Sequence, residues 1–82
     1  MRPYPGTPLR IGSRGENVRL IQQYLNDLAG VIPGLAQITA DGIFGPLTHN
    51  AVVVFQRFYR LTPDGIVGPL TWNRIMIERS NL

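Results

Sequence analysis

The chain has no cysteine. That one absence removes a disulfide framework, a thiolate zinc site and a cysteine nucleophile, and leaves the redox compartment unspecified. Lysine is absent as well: all eight basic residues are arginines, set against five carboxylates, for a formal charge of +3. The arginines are scattered, which gives a mild attraction for anionic polymers without the clustered basic face of a nucleic-acid reader. Charged residues make up only 16% of the chain and hydrophobic ones 44%, the balance of a globular protein rather than a disordered one. No apolar run approaches the roughly 18 residues of a membrane span, and the amino terminus lacks a basic-then-apolar leader. No membrane partner is expected, and any export signal is expected outside this chain. A single histidine, His49, makes neither a triad nor a zinc site, so a surface or half-buried structural role is expected of it.

What is present is one domain's worth of chain, 82 residues, with no room for a second core. The dominant feature is an internal repeat. Thr39 to Asn50 reads T-A-D-G-I-F-G-P-L-T-H-N and Thr62 to Asn73 reads T-P-D-G-I-V-G-P-L-T-W-N, nine identities in twelve at an offset of 23 residues. Each copy reads as a tight turn that starts a helix. Asp41-Gly42 and Asp64-Gly65 are turn dipeptides, glycine supplying positive φ and aspartate accepting from nearby backbone N–H groups. Ile43 and Ile66 are expected to point inward. Gly45-Pro46 and Gly68-Pro69 suit a helix start, because proline at the first helical position lacks only an N–H that would have no partner.

Helical spacing follows both motifs. Leu47, Ala51, Val54, Phe55 and Phe58 form one apolar stripe, predicting a helix from Pro46 to about Tyr59; Leu70, Trp72, Ile75 and Met76 predict a shorter one after Pro69. Near the front, Ser13 followed by Glu16 reads as a capping box, with Val18, Ile21, Leu25 and Leu28 on one face of a helix over about 16–27. Residues 1–8, with three prolines, read as an arm or linker, and 9–82 as the folded domain. Helices of about 10–14 residues are too short to stand alone, so the fold class is all-α: a compact three-helix bundle with two repeated turn-helix units. Short extended pieces at 38–40 and 61–63 are candidates to pair.

The stretches G-S-R-G-E-N-V-R-L-I-Q, D-G-I-F-G-P-L-T-H-N-A-V-V-V-F-Q and D-G-I-V-G-P-L-T-W resemble the bacterial peptidoglycan-binding domain found beside cell-wall amidases, carboxypeptidases and spore-cortex hydrolases. The likeness runs from about Leu9 to Ile75. It implies a three-helix domain without catalysis that binds peptidoglycan, through glycan strand or stem peptide. It also implies a fused cell-wall hydrolase, a place in the cell wall outside the cell and, for the domain itself, a monomer. The same fold resembles the prodomain of matrix metalloproteinases, whose inhibitory cysteine is missing here. Two departures from the family pattern stand out: a longer connection from Leu28 to Ala40, expected to reshape one wall of a groove, and Arg60 where the family has glycine. Arg60 is expected to adopt the left-handed conformation that such a glycine favours.

No enzyme constellation can be assembled, and no cofactor or metal is expected. Asp41 and Asp64 have the minimum chemistry of a glycosidase pair, but each is explained by its turn, and a calcium loop would need further oxygen ligands beside them. For ligand binding the candidates are Phe44, Tyr24, Tyr59, Gln56, Arg57 and Trp72. With Ile43 turned inward, Phe44 is left for the rim. Tyr24 and Tyr59 have amphipathic rings suited to sugar or peptide, or to a bundle edge. Gln56 serves either a turn's backbone or the ligand, and Trp72 either the core or the ligand. Arg57, Arg60 and Arg74 match stem-peptide carboxylates, a solvated surface role being the default for each. Two other classes compete with wall binding: a helix-turn-helix nucleic-acid binder, disfavoured by the apolar third helix, and an interaction or inhibitory module packed against its own enzyme.

Overall fold

The computed structural model describes residues 2–82; Met1, the first residue of the expected arm, lies outside the described residues. Three helices form in the predicted order, α1 Glu16–Leu28, α2 Pro46–Phe58 and α3 Pro69–Ser80, and no strand forms among the described residues. α1 is the central helix and lies against both others. The body measures 26 × 23 × 21 Å.

The core is built from Val18, Ile21, Leu25 and Leu28 of α1, Val52 and Phe55 of α2, and Trp72, Ile75 and Met76 of α3. Phe55, at the centre of the α2 stripe, is fully enclosed. The ends of that stripe are not as expected. Leu47 is 70% exposed, its counterpart Leu70 76%, and Phe58 is exposed as well. Helical spacing alone places these residues with the core, but the buried side of each first turn is taken by Thr48 in α2 and by Thr71 and Trp72 in α3, which leaves Leu47 and Leu70 facing solvent.

The entry to α1 also differs from expectation. No capping box forms: Gly15 is the N-cap and no side chain bonds the helix end. Ser13 Oγ instead accepts from the Arg10 N–H at 3.0 Å, closing the turn before the helix. The extended pieces at 38–40 and 61–63 do not pair with each other. The two isolated bridges join Leu9 to Val67 and Arg14 to Ile43, tying the segment before α1 to both turns.

α2 ends as expected in positive-φ backbone at Arg60, φ 59°. Arg60 N–H donates to the Arg57 carbonyl at 3.2 Å and Leu61 N–H to the Gln56 carbonyl at 2.8 Å, the paired bonds of a Schellman ending with arginine where glycine is usual. The longer first connection drops Ile32 and Leu35 into the core. Asn26 pins its return: its side chain donates to the Ile38 carbonyl at 2.7 Å and accepts from the Ile38 N–H at 2.8 Å.

Trp72 is 0% exposed. Its indole Nε1 donates to the Arg2 carbonyl at 2.9 Å, and Tyr4 meets its ring edge-on at a centroid distance of 6.3 Å. The described part of the arm therefore lies against α3. The alternative of ligand contact for Trp72 is corrected by this burial, since every face of the indole is already covered.

Candidate functional site

The repeat reaches further than the twelve-residue motif. Gln22 on α1 holds the first turn: its Nε2 donates to Asp41 Oδ1, the Ile43 carbonyl and Thr48 Oγ1 at 3.2, 2.9 and 3.0 Å, and its Oε1 accepts from the Gly42 N–H at 2.8 Å. Gln56 on α2 does the same for the second turn, with Asp64 Oδ1, the Ile66 carbonyl, Thr71 Oγ1 and the Gly65 N–H at 3.0, 3.1, 3.1 and 2.9 Å. Both glutamines are 1% exposed. A buried amide satisfied at both ends fixes the turn's backbone, because any shift strands a polar group away from water. Gln56 is thus a clamp for the turn, as the backbone reading expected, and it also lines the groove beside that turn. Gln22 escaped the sequence reading, although Ile21-Gln22 and Phe55-Gln56 each follow a valine by the same spacing.

Within each turn the aspartate accepts from the isoleucine N–H two residues on, at 2.9 Å for Ile43 and 3.0 Å for Ile66. For Asp41 the Ile43 N–H and then the Gln22 amide hold the carboxyl below its ordinary value, as bonds to the charged form do. This Asx turn aims the isoleucine side chain out and the next residue in. Phe44 is consequently 1% exposed and Val67 fully buried, while Ile43 is exposed. The expectation of an inward Ile43 and a rim Phe44 is reversed, and Phe44 has no surface to offer a ligand.

Two grooves result, one beside each turn. The larger, about 410 Å³, runs along the second turn between Leu61-Thr62 and the start of α3, with Arg60 at its edge and Ile66 and Leu70 as apolar walls. The smaller, about 200 Å³, runs along the first turn, with Ile43 and Leu47 as walls. At the mouth of each, Gly45 or Gly68 caps a helix without a side-chain bond, and proline follows. The next N–H groups have no partner within their helix and point their dipoles outward.

The remaining candidates lie elsewhere. Tyr59, half-buried at the C-cap of α2, stacks with Phe55 and Phe58 and carries the Arg74 guanidinium over its ring at 4.4 Å. Burial first, and then the Glu78 carboxylate, push its phenol up. Tyr24 sits beneath Arg79 at 5.4 Å, and Arg79 bonds Asp27 at 2.7 Å, so this pair fastens α3 to α1. Arg57 is exposed on the last turn of α2. None of these three lines either groove. His49, half-buried as expected, covers the second turn so closely that a Cβ added at Gly65 would collide with its ring. Among the described residues no cluster of His, Cys, Asp or Glu has the make-up of a metal site.

The model of a family described as a putative peptidoglycan-binding domain matches residues 14–75. Among solved structures, the SleB N-terminal domain is similar with a TM-score of 0.81 and 26% identity, over 93% of this chain and 97% of that one. A peptidoglycan-binding protein from Clostridioides difficile, solved in complex with glutamine hydroxamate, is similar with a TM-score of 0.74 and 38% identity over 85% of this chain. The chain spans 40% of that protein's length. A search of curated proteins gave no match. The repeated turns, the three-helix fold and a match over residues 14–75 agree: this chain belongs to the peptidoglycan-binding domain family, a family of binding domains and not of enzymes.

Proposed function

We propose that the chain holds a cell-wall hydrolase on bacterial peptidoglycan, and that it does so through the groove beside the second turn. The observation that carries the placement is Leu70. A leucine 76% exposed, in a motif whose Asp64, Gly65, Val67, Thr71 and Trp72 all serve the fold, loses free energy in water that a ligand would recover. Ile66 faces it across the groove, and the unpartnered N–H groups of α3 offer donors to a carbonyl or carboxylate.

The partner is a fused hydrolase, and the setting is the cell wall outside the cell. The likeness to domains that accompany wall hydrolases supports this, as does the C. difficile protein, in which the matching region is joined to a longer chain. Residues 9–82 form the binding domain, working as a single copy, and 1–8 the arm that leads into it. A repeating polymer offers many equivalent sites, so an individual affinity of about micromolar to millimolar is sufficient.

The test is co-sedimentation of the purified chain with isolated sacculi. The chain is expected in the pellet, and Leu70→Ser is expected to sediment markedly less while melting like the parent. Full binding by Leu70→Ser refutes the placement, and failure of the parent to sediment refutes the function.

A further inference from the structure

The groove beside the first turn is built on the same plan as the one beside the second. Each of the seven residues lining it has its counterpart 23 positions on in the lining of the larger groove. Three of these pairs face the space: Ile43 with Ile66, Leu47 with Leu70, and Thr39 with Thr62. The backbone agrees as closely. Gly42 and Gly65 have φ of 77° and 73°, and the N-caps Gly45 and Gly68 have ψ of −169° and −170°. The glutamine clamps use the same four partners in each copy. An exposed leucine kept at both sites, 70% and 76% accessible, has no duty in the fold at either.

The lining also tells which part of the polymer fits. No aromatic ring lines either groove, so neither has the flat apolar platform on which a sugar face stacks. The walls are aliphatic. The polar groups common to both are a threonine hydroxyl, an aspartate with one oxygen already engaged by its turn, and helix N–H groups without partners, the larger groove adding Gln56 and, at its edge, Arg60. A small alkyl side chain flanked by amide carbonyls complements that set.

We infer that the domain is bivalent: each groove takes one alkyl-bearing amino-acid residue of a stem peptide, so that two peptides of one wall polymer are held at once. This rests on the proposed wall-binding function and names its ligand class and valency. Both grooves belong to a body 26 Å in its longest dimension, so neighbouring peptides of one strand or cross-linked pair have a short span to cover. Joining two weak contacts on one rigid body raises the effective local concentration and multiplies the overall affinity.

The experiment is an NMR and calorimetric titration with a sugar-free stem peptide and, separately, with a peptide-free glycan oligosaccharide. Sedimentation on sacculi of Leu47→Ser, Leu70→Ser and the double variant accompanies it. Both leucines are exposed, and melting curves verify that the variants fold. The expected result is two peptide sites per chain, with shifts at the amides of both Leu47 and Leu70. Each single substitution should leave one site and weaken sacculus binding about tenfold or more, and the double variant should not bind. A single site confined to Leu70 overturns bivalency and leaves the wall-binding reading standing. Saturable shifts with the oligosaccharide and none with the peptide overturn the ligand class. Undiminished sacculus binding by the double variant overturns both this inference and the placement on which it rests.

Discussion

Removing the Gln56 side chain tests whether the clamps hold the domain together. Gln56→Ala leaves the buried Gly65 N–H without an acceptor, which costs about 1–2 kcal/mol, and takes a donor from the Ile66 carbonyl and Thr71 Oγ1, about 0.5–1 kcal/mol each. Loss of the packed methylenes adds about 1 kcal/mol. The total, about 3–5 kcal/mol, is a large part of the roughly 4–12 kcal/mol expected of 82 residues. It should lower Tm by about 12 °C or more. Gln56→Glu sharpens the test. At neutral pH it places a second carboxylate against Asp64 and donates nothing, so it should be less stable than the alanine variant. Burial and the neighbouring charge raise the introduced carboxyl's pKa in the folded state above its unfolded value of about 4.3. A group shifted that way contributes stability in acid that is lost as pH rises through the folded value. Gln56→Glu should therefore recover relative to Gln56→Ala below about pH 5, where the protonated carboxyl again donates. Urea unfolding across pH gives the free energies, and hydrogen exchange at the Gly65 amide gives the local effect. A cost under about 1 kcal/mol for Gln56→Ala, with Gly65 as protected as in the parent, would refute the reasoning.

Gly65→Ala should destabilise by about 2–3 kcal/mol, more than Gly42→Ala, since it adds a clash with His49 to the strain of positive φ; His49→Ala should recover part of that loss, and equal melting of the two glycine variants would count against it. Arg60→Gly should stabilise by about 0.5–1 kcal/mol, because relief of left-handed strain exceeds the added freedom of the unfolded chain; thermal melting decides the sign. Asp41 has a depressed folded pKa, so its contribution is present above the unfolded value and lost as pH falls through the folded one. Acid unfolding of Asp41→Asn should accordingly be less steep below about pH 4, and a slope identical to the parent's would exclude the carboxylate's role.

The helices were legible because proline-led starts and apolar spacing are local, and Arg60's φ because the ending of α2 demands it whatever residue is present. Phe44 and Ile43 were not. In extended backbone they occupy opposite sides, and which side is the core depends on the Asp41 bond to the Ile43 N–H and on where α1 lies. Leu47 and Leu70 fit the helical period as well as Ala51 does; their exposure follows from the glutamine clamps, which take Thr48 and Thr71 as the inward residues of each first turn, a choice periodicity does not encode. The groove positions followed from the repeat, but the aromatic candidates are elsewhere: Phe44 and Trp72 are buried, and Tyr59 and Tyr24 are covered by Arg74 and Arg79.

The unequal connections have a kinetic consequence. Gln56 reaches Asp64 across a separation of 8 residues, whereas Gln22 reaches Asp41 across 19. Closing the longer loop costs about 0.8 kcal/mol more in chain entropy, which makes the shorter closure about fourfold more frequent in the unfolded ensemble. The carboxyl-terminal unit is the cheaper nucleus, and α1 must then travel over residues 29–40 to dock on it. Ile32 and Leu35, buried in the core from within that connection, offset the entropy of its closure, the costlier of the two.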